Sequence, residues 1–347
     1  MELPKVTIQL VTYNSLKYLP DCLKSIFSQT YRDFQVLVID NNSQDGTVDY
    51  LRQNFPQVTV FQNHKNLGFA AAHNQGIELL HSPYVVFSNV DILLEPDWLE
   101  QVMAKVEDPR FERFGAFGGK LFQLKVINLE NHELEKTDSI DSCGLKLFRN
   151  HRVEELGAGQ SGSDFPVDQE VFGLTGALVL YRRQTLMDCK LNTKTSPRGE
   201  YFDPDFFFYK EDVDLAWRAR LLGWNALMVA SAKAYHIRTL KAVSGRGVNR
   251  IIGARKKQSK LARYYSYRNH GFLIVKNEFK QNLIKDGLII FGYELKKMAY
   301  ILIFEWSSLK AIWERLALLP KMLEKRKIIL NRAKIGPDAI RRWYLKV

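Results

Sequence analysis

The stretch YVVFSNVD, residues 84–91, runs apolar from Tyr84 to Phe87 and then stops on Ser88, Asn89, Val90 and Asp91. A short apolar run closed by turn-forming polar residues has the form of a buried strand that hands its last side chains to a loop. Three earlier runs have the same form: VTIQLV (6–11), FQVLVID (34–40) and VTVFQN (58–63). Each is followed by a segment with helical spacing. The first carries Leu19, Leu23, Ile26 and Phe27, the second begins near Val48, and the third covers about 69–80. This alternation predicts an α/β fold with a mostly parallel sheet, right-handed crossovers and flanking helices. In such a sheet every parallel strand turns its carboxyl end to one rim, where ligands bind. The four ends read Thr12-Tyr13-Asn14, Asp40-Asn41-Asn42, Asn63 to Gly68, and Asn89-Val90-Asp91. One such end is ordinary loop chemistry; four on a single rim make a candidate site.

The chain has 347 residues, enough for an α/β domain of roughly 200–250 residues with something attached. Its 21 Phe, 15 Tyr and 6 Trp supply a sizeable core. Cys22, Cys143 and Cys189 are odd in number and far apart, without a CxxC pair. That spacing favours a reducing compartment and argues against a zinc site. The start MELPKVTIQL lacks the basic residues and long apolar stretch of a signal peptide, so a cytoplasmic setting is expected. The net charge of +12 is unevenly spread. Residues 1–240 carry 25 Lys+Arg against 31 Asp+Glu, or −6, and residues 241–347 carry 25 against 7, or +18. An acidic body suits a metal-using enzyme, and a basic remainder suits an anionic surface.

Beyond residue 110, GAFGGKLFQL (115–124) and FGLTGALVLYRR (172–183) read as strands, and NTKTSPRGEYFDPD (192–205) reads as a loop. The aromatic run FFFYKEDVDLAWRARLLGW (206–224) leads into a helix with Glu211, Asp212 and Asp214 at its start, where carboxylates also suit the helix dipole. ALMVASAKAYHIR (226–238) is a last strand, with His236 near its end. The first turn, TYNSLKYL, has no glycine, so the phosphate cradle of a dinucleotide-binding dehydrogenase is missing.

Five segments, in order, resemble the family-2 glycosyltransferases and their A-type, Rossmann-like nucleotide-diphospho-sugar transferase fold. They are VTYNS (11–15), VIDNNSQDGT (38–47), NLGFAAAHNQG (66–76), SNVD (88–91) and YKEDVDLAWRARLLGW (209–224). The bacterial rhamnosyltransferase-like branch is the most similar, on FFFYKEDVDLAWR and the AYHIR that follows. The resemblance implies an inverting transfer from a dTDP- or UDP-sugar, assisted by a divalent metal, Mg²⁺ or Mn²⁺. It implies Asp91 as a metal ligand, at the last position of an Asp-x-Asp-like motif whose first position here is Asn89. His236 would complete the metal or diphosphate site, and Asp212 would take the acceptor proton, with Glu211 beside it. Thr12, Tyr13, Asn14 and Asp40 would hold base and ribose, with Asn66, Gly68, Asn74 and Asn89 in the donor site. Arg238, Lys241 and Arg246 lie in a basic loop suited to closing over a diphosphate. Loss of Asp91 or Asp212 would have pointed instead to an inactive scaffold of the same fold; both are present.

The expected division is a catalytic domain over 1–260 and a helical, basic extension over 261–347. Apolar residues recur with helical spacing from Leu288 to Leu323, and no uncharged run reaches the roughly 18–20 residues of a spanning helix. Trp306 and Trp313, followed by Lys321, Lys325, Arg326 and Lys327, fit helices lying in a membrane interface. The tail's basic residues are interleaved with aliphatic stretches rather than set on a polar face, so no nucleic-acid partner is expected. The expected partners are a glycan or lipid-linked glycan acceptor and an anionic membrane surface, with the protein peripheral on the inner face of the plasma membrane.

Overall fold

The computed structural model describes residues 3–128, 133–237 and 259–346. The amino-terminal half runs β1 (Val6–Thr12), α1 (Leu19–Phe27), β2 (Phe34–Asp40), α2 (Thr47–Asn54), β3 (Thr59–Gln62), α3 (Phe69–Leu79), β4 (Tyr84–Ser88), β5 (Ile92–Leu94) and α4 (Trp98–Val106). The chain continues through β6 (Phe114–Asn128), β7 (Glu133–Ser142), β8 (Leu145–Phe148), β9 (Val153–Glu155), β10 (Gln169–Val171), β11 (Leu178–Arg182), α5 (Arg183–Cys189), α6 (Glu211–Leu221) and β12 (Asn225–His236). It ends with α7 (Lys260–Asn277), α8 (Lys280–Lys285), α9 (Gly287–Phe304), α10 (Lys310–Arg332), α11 (Pro337–Arg341) and β13 (Tyr344–Leu345).

The main sheet has the order β10-β12-β6-β11-β4-β1-β2-β3. Strands β3, β2, β1 and β4 are parallel, with Thr12 paired to Asp40 and Leu10 to Ser88. β11 enters antiparallel between β4 and β6, while β6 and β12 run parallel to each other. The carboxyl ends of β1, β2, β4 and β12 therefore share a rim with the amino end of β11. Val, Ile and Leu fill both faces of the central strands, as a doubly covered parallel sheet requires. The strand expected over 172–183 is shorter than its apolar pattern, because Gly173 to Ala177 turn at the rim before β11 begins.

A third core cluster joins the body to the carboxyl-terminal helices. Phe206, Val213 and Trp217 pack with Phe272, Leu273, Met322, Ile329 and Tyr344. Buried ions reinforce the contact. Lys276 Nζ lies 2.6 Å from Asp203 and 2.8 Å from Asp214, and Lys325 Nζ lies 2.5 Å from both Glu200 and Asp203, with all these side chains shut off from solvent.

Helix α9 is inverted relative to an ordinary surface helix. Tyr293, Glu294 and Lys297 face inward, while Leu288 (90% exposed), Phe291, Leu295, Leu302 and Ile303 face out. Trp306 and Trp313 extend the exposed apolar surface toward α10, each 73% exposed. Among the described residues, no helix is long and apolar enough to cross a membrane.

Candidate active site

The turn after β4 carries Asp91, whose carboxylate faces His236 at the end of β12, Oδ2 to Nε2 3.3 Å. The other ring nitrogen, Nδ1, lies 2.8 Å from Oδ2 of Asp141, a fully buried carboxylate on β7. Burial, the largest influence on His236, lowers its pKa, but hydrogen bonds and charge from Asp141 and Asp91 outweigh it and push the imidazole up to about 9. A carboxylate locking one nitrogen while the other faces a second oxygen ligand is how a metal-binding histidine is held. Among the described residues, no three His, Cys, Asp or Glu side chains converge as a closed metal cage. The pair Asp91 and His236 thus offers a hard oxygen and an imidazole, a donor set that would fit Mn²⁺.

Asp212 reaches the same rim through the backbone. Asn89 N donates to Ala177 O (2.8 Å), and the adjoining Gly176 N donates to Asp212 Oδ2 (2.8 Å). Val213 N donates to Oδ1 (2.7 Å). Gly176 makes this approach possible, because a Cβ there would sit 2.9 Å from the Cβ of Asp212. Ile237 N closes the circuit on Asp91 O at 2.9 Å. Burial raises the Asp212 pKa, against backbone hydrogen bonds that lower it. Beside it, Glu211 is buried with Oε2 unpartnered among the described residues; burial first, then the charge of Asp212, push it up to about 8.

The segment leading into α6 is held in unusual backbone. Phe207, Tyr209 and Lys210 have φ of 63°, 70° and 70°, a region that costs L side chains roughly 1–3 kcal/mol each. The tie comes from α7, where the buried Asn269 Nδ2 approaches the carbonyls of Phe206 (2.9 Å), Phe208 (3.0 Å) and Tyr209 (2.7 Å). Tyr265 stacks on Phe207 at 5.3 Å. From the other side, Phe69 N at the start of α3 donates to Phe207 O (2.8 Å). Gly68 has φ 83°, and a Cβ on it would fall 2.6 Å from the Phe207 ring.

The remaining expected residues divide into exposed and structural groups. Tyr13 is 52% exposed at the end of β1. Asn14 Oδ1 accepts from Gln44 N (2.8 Å), linking the first two strand ends. Asp40 is fully buried; Oδ1 accepts from Thr12 Oγ1 (2.8 Å) and Ser43 Oγ (2.5 Å), and Oδ2 accepts from Ser43 N (2.9 Å). Asn66 Oδ1 accepts from Gly68 N, and Asn74 on α3 clips Tyr201 and Phe202 through their backbone. Asp40 and Asn74, expected to touch the donor, thus have both polar ends of their side chains bonded within the protein, and Asn66 has its oxygen so engaged. Asp214, at the same helix start, is buried against Arg218, Lys276 and Asn277. Arg238, Lys241 and Arg246 lie outside the described residues. Sequence reasoning missed Asp141, Gly176 and Asn269. The one signal for Asn269 was a polar RNHG set inside an aromatic helix pattern; nothing marked the other two.

The description Glycosyl transferase family 2 matches residues 7–188, just over half of the chain. The chain belongs to that family. It is 26% identical over 251 residues to the N-acetylglucosaminyl-diphospho-decaprenol L-rhamnosyltransferase of Mycobacterium tuberculosis, covering 65% of this chain and 74% of that protein. Glycosyltransferase GlyA of Streptococcus pneumoniae is 25% identical over 209 residues, 52% of this chain and 30% of that protein. The chain spans about a third of the length of several such curated relatives. Among solved structures, the fold matches mannosyltransferase PcManGT from Pyrobaculum calidifontis in complex with GDP-Man and Mn²⁺ (TM-score 0.50, 17% identity, 97% and 88% of the two chains). It also matches S. aureus TarS 1-349 in complex with UDP-GlcNAc (TM-score 0.52, 14% identity, 98% and 92%).

Proposed function

We propose that this enzyme moves a sugar, with inversion, from a pyrimidine nucleoside-diphosphate donor to a hydroxyl of a lipid-linked glycan precursor at a membrane surface. The observation that carries this reading is the backbone circuit Asp91–Ile237 and Asn89–Ala177–Gly176–Asp212, which ties two separate carboxylates to one strand-end rim. Rhamnose is the sugar favoured by the likeness to the mycobacterial enzyme.

Asp91 and His236 would hold a divalent metal, which when bound supplies positive charge to the departing diphosphate. Tyr13 stacks on the base, and Asp40 fixes the loop through Thr12 and Ser43 rather than meeting the base itself. Asp212 accepts the proton of the acceptor hydroxyl as its oxygen bonds to the anomeric carbon and the bond to the diphosphate breaks. The two backbone N–H groups on Asp212 fix the carboxylate's direction, and burial strengthens it as a base. The outward Leu288, Phe291, Leu302 and Trp313 set this site at a bilayer surface, which the basic carboxyl-terminal third favours electrostatically.

Hydrolysis and transfer assays across a panel of nucleotide sugars with Mn²⁺ test the reading. Asp91→Ala abolishes metal-dependent donor binding and turnover, whereas Asp212→Asn abolishes transfer and retains donor binding. Full turnover in either variant refutes the role given to that residue. Flotation of the protein on anionic liposomes falls in a Leu288→Glu, Phe291→Glu, Trp313→Glu variant; equal recovery rules out membrane contact by this face, and a change in oligomeric state assigns it to a second copy.

A further inference from the structure

Inside the inverted helix α9 lies a cluster of cations that the donor chemistry does not use. Glu294 Oε1 lies 2.8 Å from Lys297 Nζ and 3.0 Å from His270 Nε2 of α7, and Glu294 Oε2 lies 3.6 Å from Arg315 Nη2 of α10. Lys210, at the start of α6, is within electrostatic reach of Glu294 and Arg315 on one side and of Asp212 on the other. Its ammonium has no hydrogen-bond or ion-pair partner among the described residues. Burial holds His270 well below its ordinary pKa, so it is neutral. The cluster thus sets three basic side chains against two carboxylates, that of Glu294 and, through Lys210, that of Asp212.

This imbalance is unlike the other buried ions of the molecule. Lys276, Lys325 and Arg218 meet Asp203, Asp205, Asp214 and Glu200, so those cations are fully matched. A charge taken from water without a partner is costly, and a surplus of basic groups over carboxylates calls for a counter-ion. The surplus is reachable: Lys297, Arg315 and Glu294 side chains are 16%, 20% and 26% exposed. It is also shaped. Lys297 sits 5.3 and 5.0 Å from the rings of Tyr267 and Tyr293, and Arg315 lies 4.5 Å from that of Tyr267. Gly271 leaves the slot that Arg315 fills, since a Cβ there would collide with the guanidinium.

We propose that Lys210, Lys297 and Arg315 hold the diphosphate of a lipid-linked acceptor, between the outward apolar face of α9 and the Asp212 carboxylate. The inference rests on the transferase reading above and names the acceptor's chemical class. A diphosphate joined at both ends carries two negative charges, which the three basic side chains can meet together. Arg315 supplies a fork for two phosphate oxygens, and the lysines act as point charges. The acyl or prenyl chain then leaves along Leu288, Phe291 and Leu295, and the sugar end is directed at Asp212. With no anion bound, burial pulls Lys210 down to about 8 and Lys297 to about 7. An arriving diphosphate draws protons back onto both.

Geranyl diphosphate, geraniol and inorganic pyrophosphate serve as probes, titrated calorimetrically in EDTA so that the metal-dependent donor site stays silent. The wild type binds geranyl diphosphate at least ~10-fold tighter than either other probe, with proton uptake at pH 7.5. Lys297→Gln, Arg315→Gln and Lys210→Gln each weaken it by roughly 10-fold, the scale of one lost charge-assisted contact. Lys296→Gln, on the outward face of the same helix, leaves the affinity unchanged. Lys210→Gln keeps its melting temperature, because it removes no ion pair, and so separates binding from folding. Wild-type affinity in all three cluster variants overturns the proposal while donor hydrolysis leaves the transferase reading standing. Pyrophosphate binding as tightly as geranyl diphosphate overturns the lipid assignment. A wild type that hydrolyses no nucleotide sugar sinks the transferase reading, whatever these titrations give.

Discussion

Truncating Asn269 to alanine removes the main tie on the loop that presents Asp212. Its side chain is fully buried, and its two amide hydrogens serve three carbonyls at 2.7–3.0 Å. Each buried acceptor left dry costs about 1–3 kcal/mol, so two lost bonds cost roughly 2–6 kcal/mol. For a chain of this size that lowers the melting midpoint by about 3–8 °C. The strained backbone at Phe207, Tyr209 and Lys210 relaxes once released, and Asp212 drifts from Gly176 N. Misplacement of that kind lowers kcat by about 10-fold or more. The KM for the donor stays close to wild type, because the residues proposed to hold it, Tyr13, Asp91 and His236, follow or close β1, β4 and β12 rather than lying in this loop. Asn269→Asp keeps the shape but turns an anion toward three carbonyl oxygens, so it is worse than alanine at pH 8 and milder at pH 5. Differential scanning calorimetry and steady-state kinetics read both effects. A variant with unchanged midpoint and unchanged kcat refutes the positioning role.

Gly176→Ala pushes a Cβ against Asp212 and lowers transfer by about 10-fold or more with little change in donor affinity, measured by kinetics and nucleotide titration. Lys276→Met leaves Asp203 and Asp214 short of one buried partner and costs about 3–5 kcal/mol in urea unfolding, toward the lower end because Lys325 and Arg218 remain. Glu211 keeps its proton in the folded protein from its ordinary 4.5 up to about 8. The fold binds more protons than the open chain across that window, so wild-type stability falls as pH rises through it. Glu211→Gln flattens that slope in chemical denaturation run between pH 5 and 8.5; an unchanged slope shows that the carboxyl is ionised throughout.

The sheet was legible because strand pattern and helix pattern alternate cleanly over the first ninety residues, and Phe34–Asp40 and Phe69–Leu79 fall where periodicity puts them. The places of Asp91, Asp212 and His236 beside element ends were legible in the same pattern, whereas the roles proposed for them come from the family resemblance. The site's supports were not. Asp141 lies on β7, a polar strand whose pattern gives no hint of a buried carboxylate, and it matters only because β6 carries it to β12. Asn66 and Asn74 illustrate the converse: amides in a family motif whose oxygens already accept from backbone N–H groups. Sequence spacing does not reveal which lone pairs tertiary packing has already taken.

The core shared by Trp217, Phe272 and Met322 has a practical corollary for engineering. Shortening the protein to the residues before α7 would strip the outer wall from α6 and strand Asp203, Asp205 and Asp214 without their lysines. Specificity swaps between homologues therefore succeed when the last ninety residues travel with the helix that carries Asp212, and fail when the joint is cut between them.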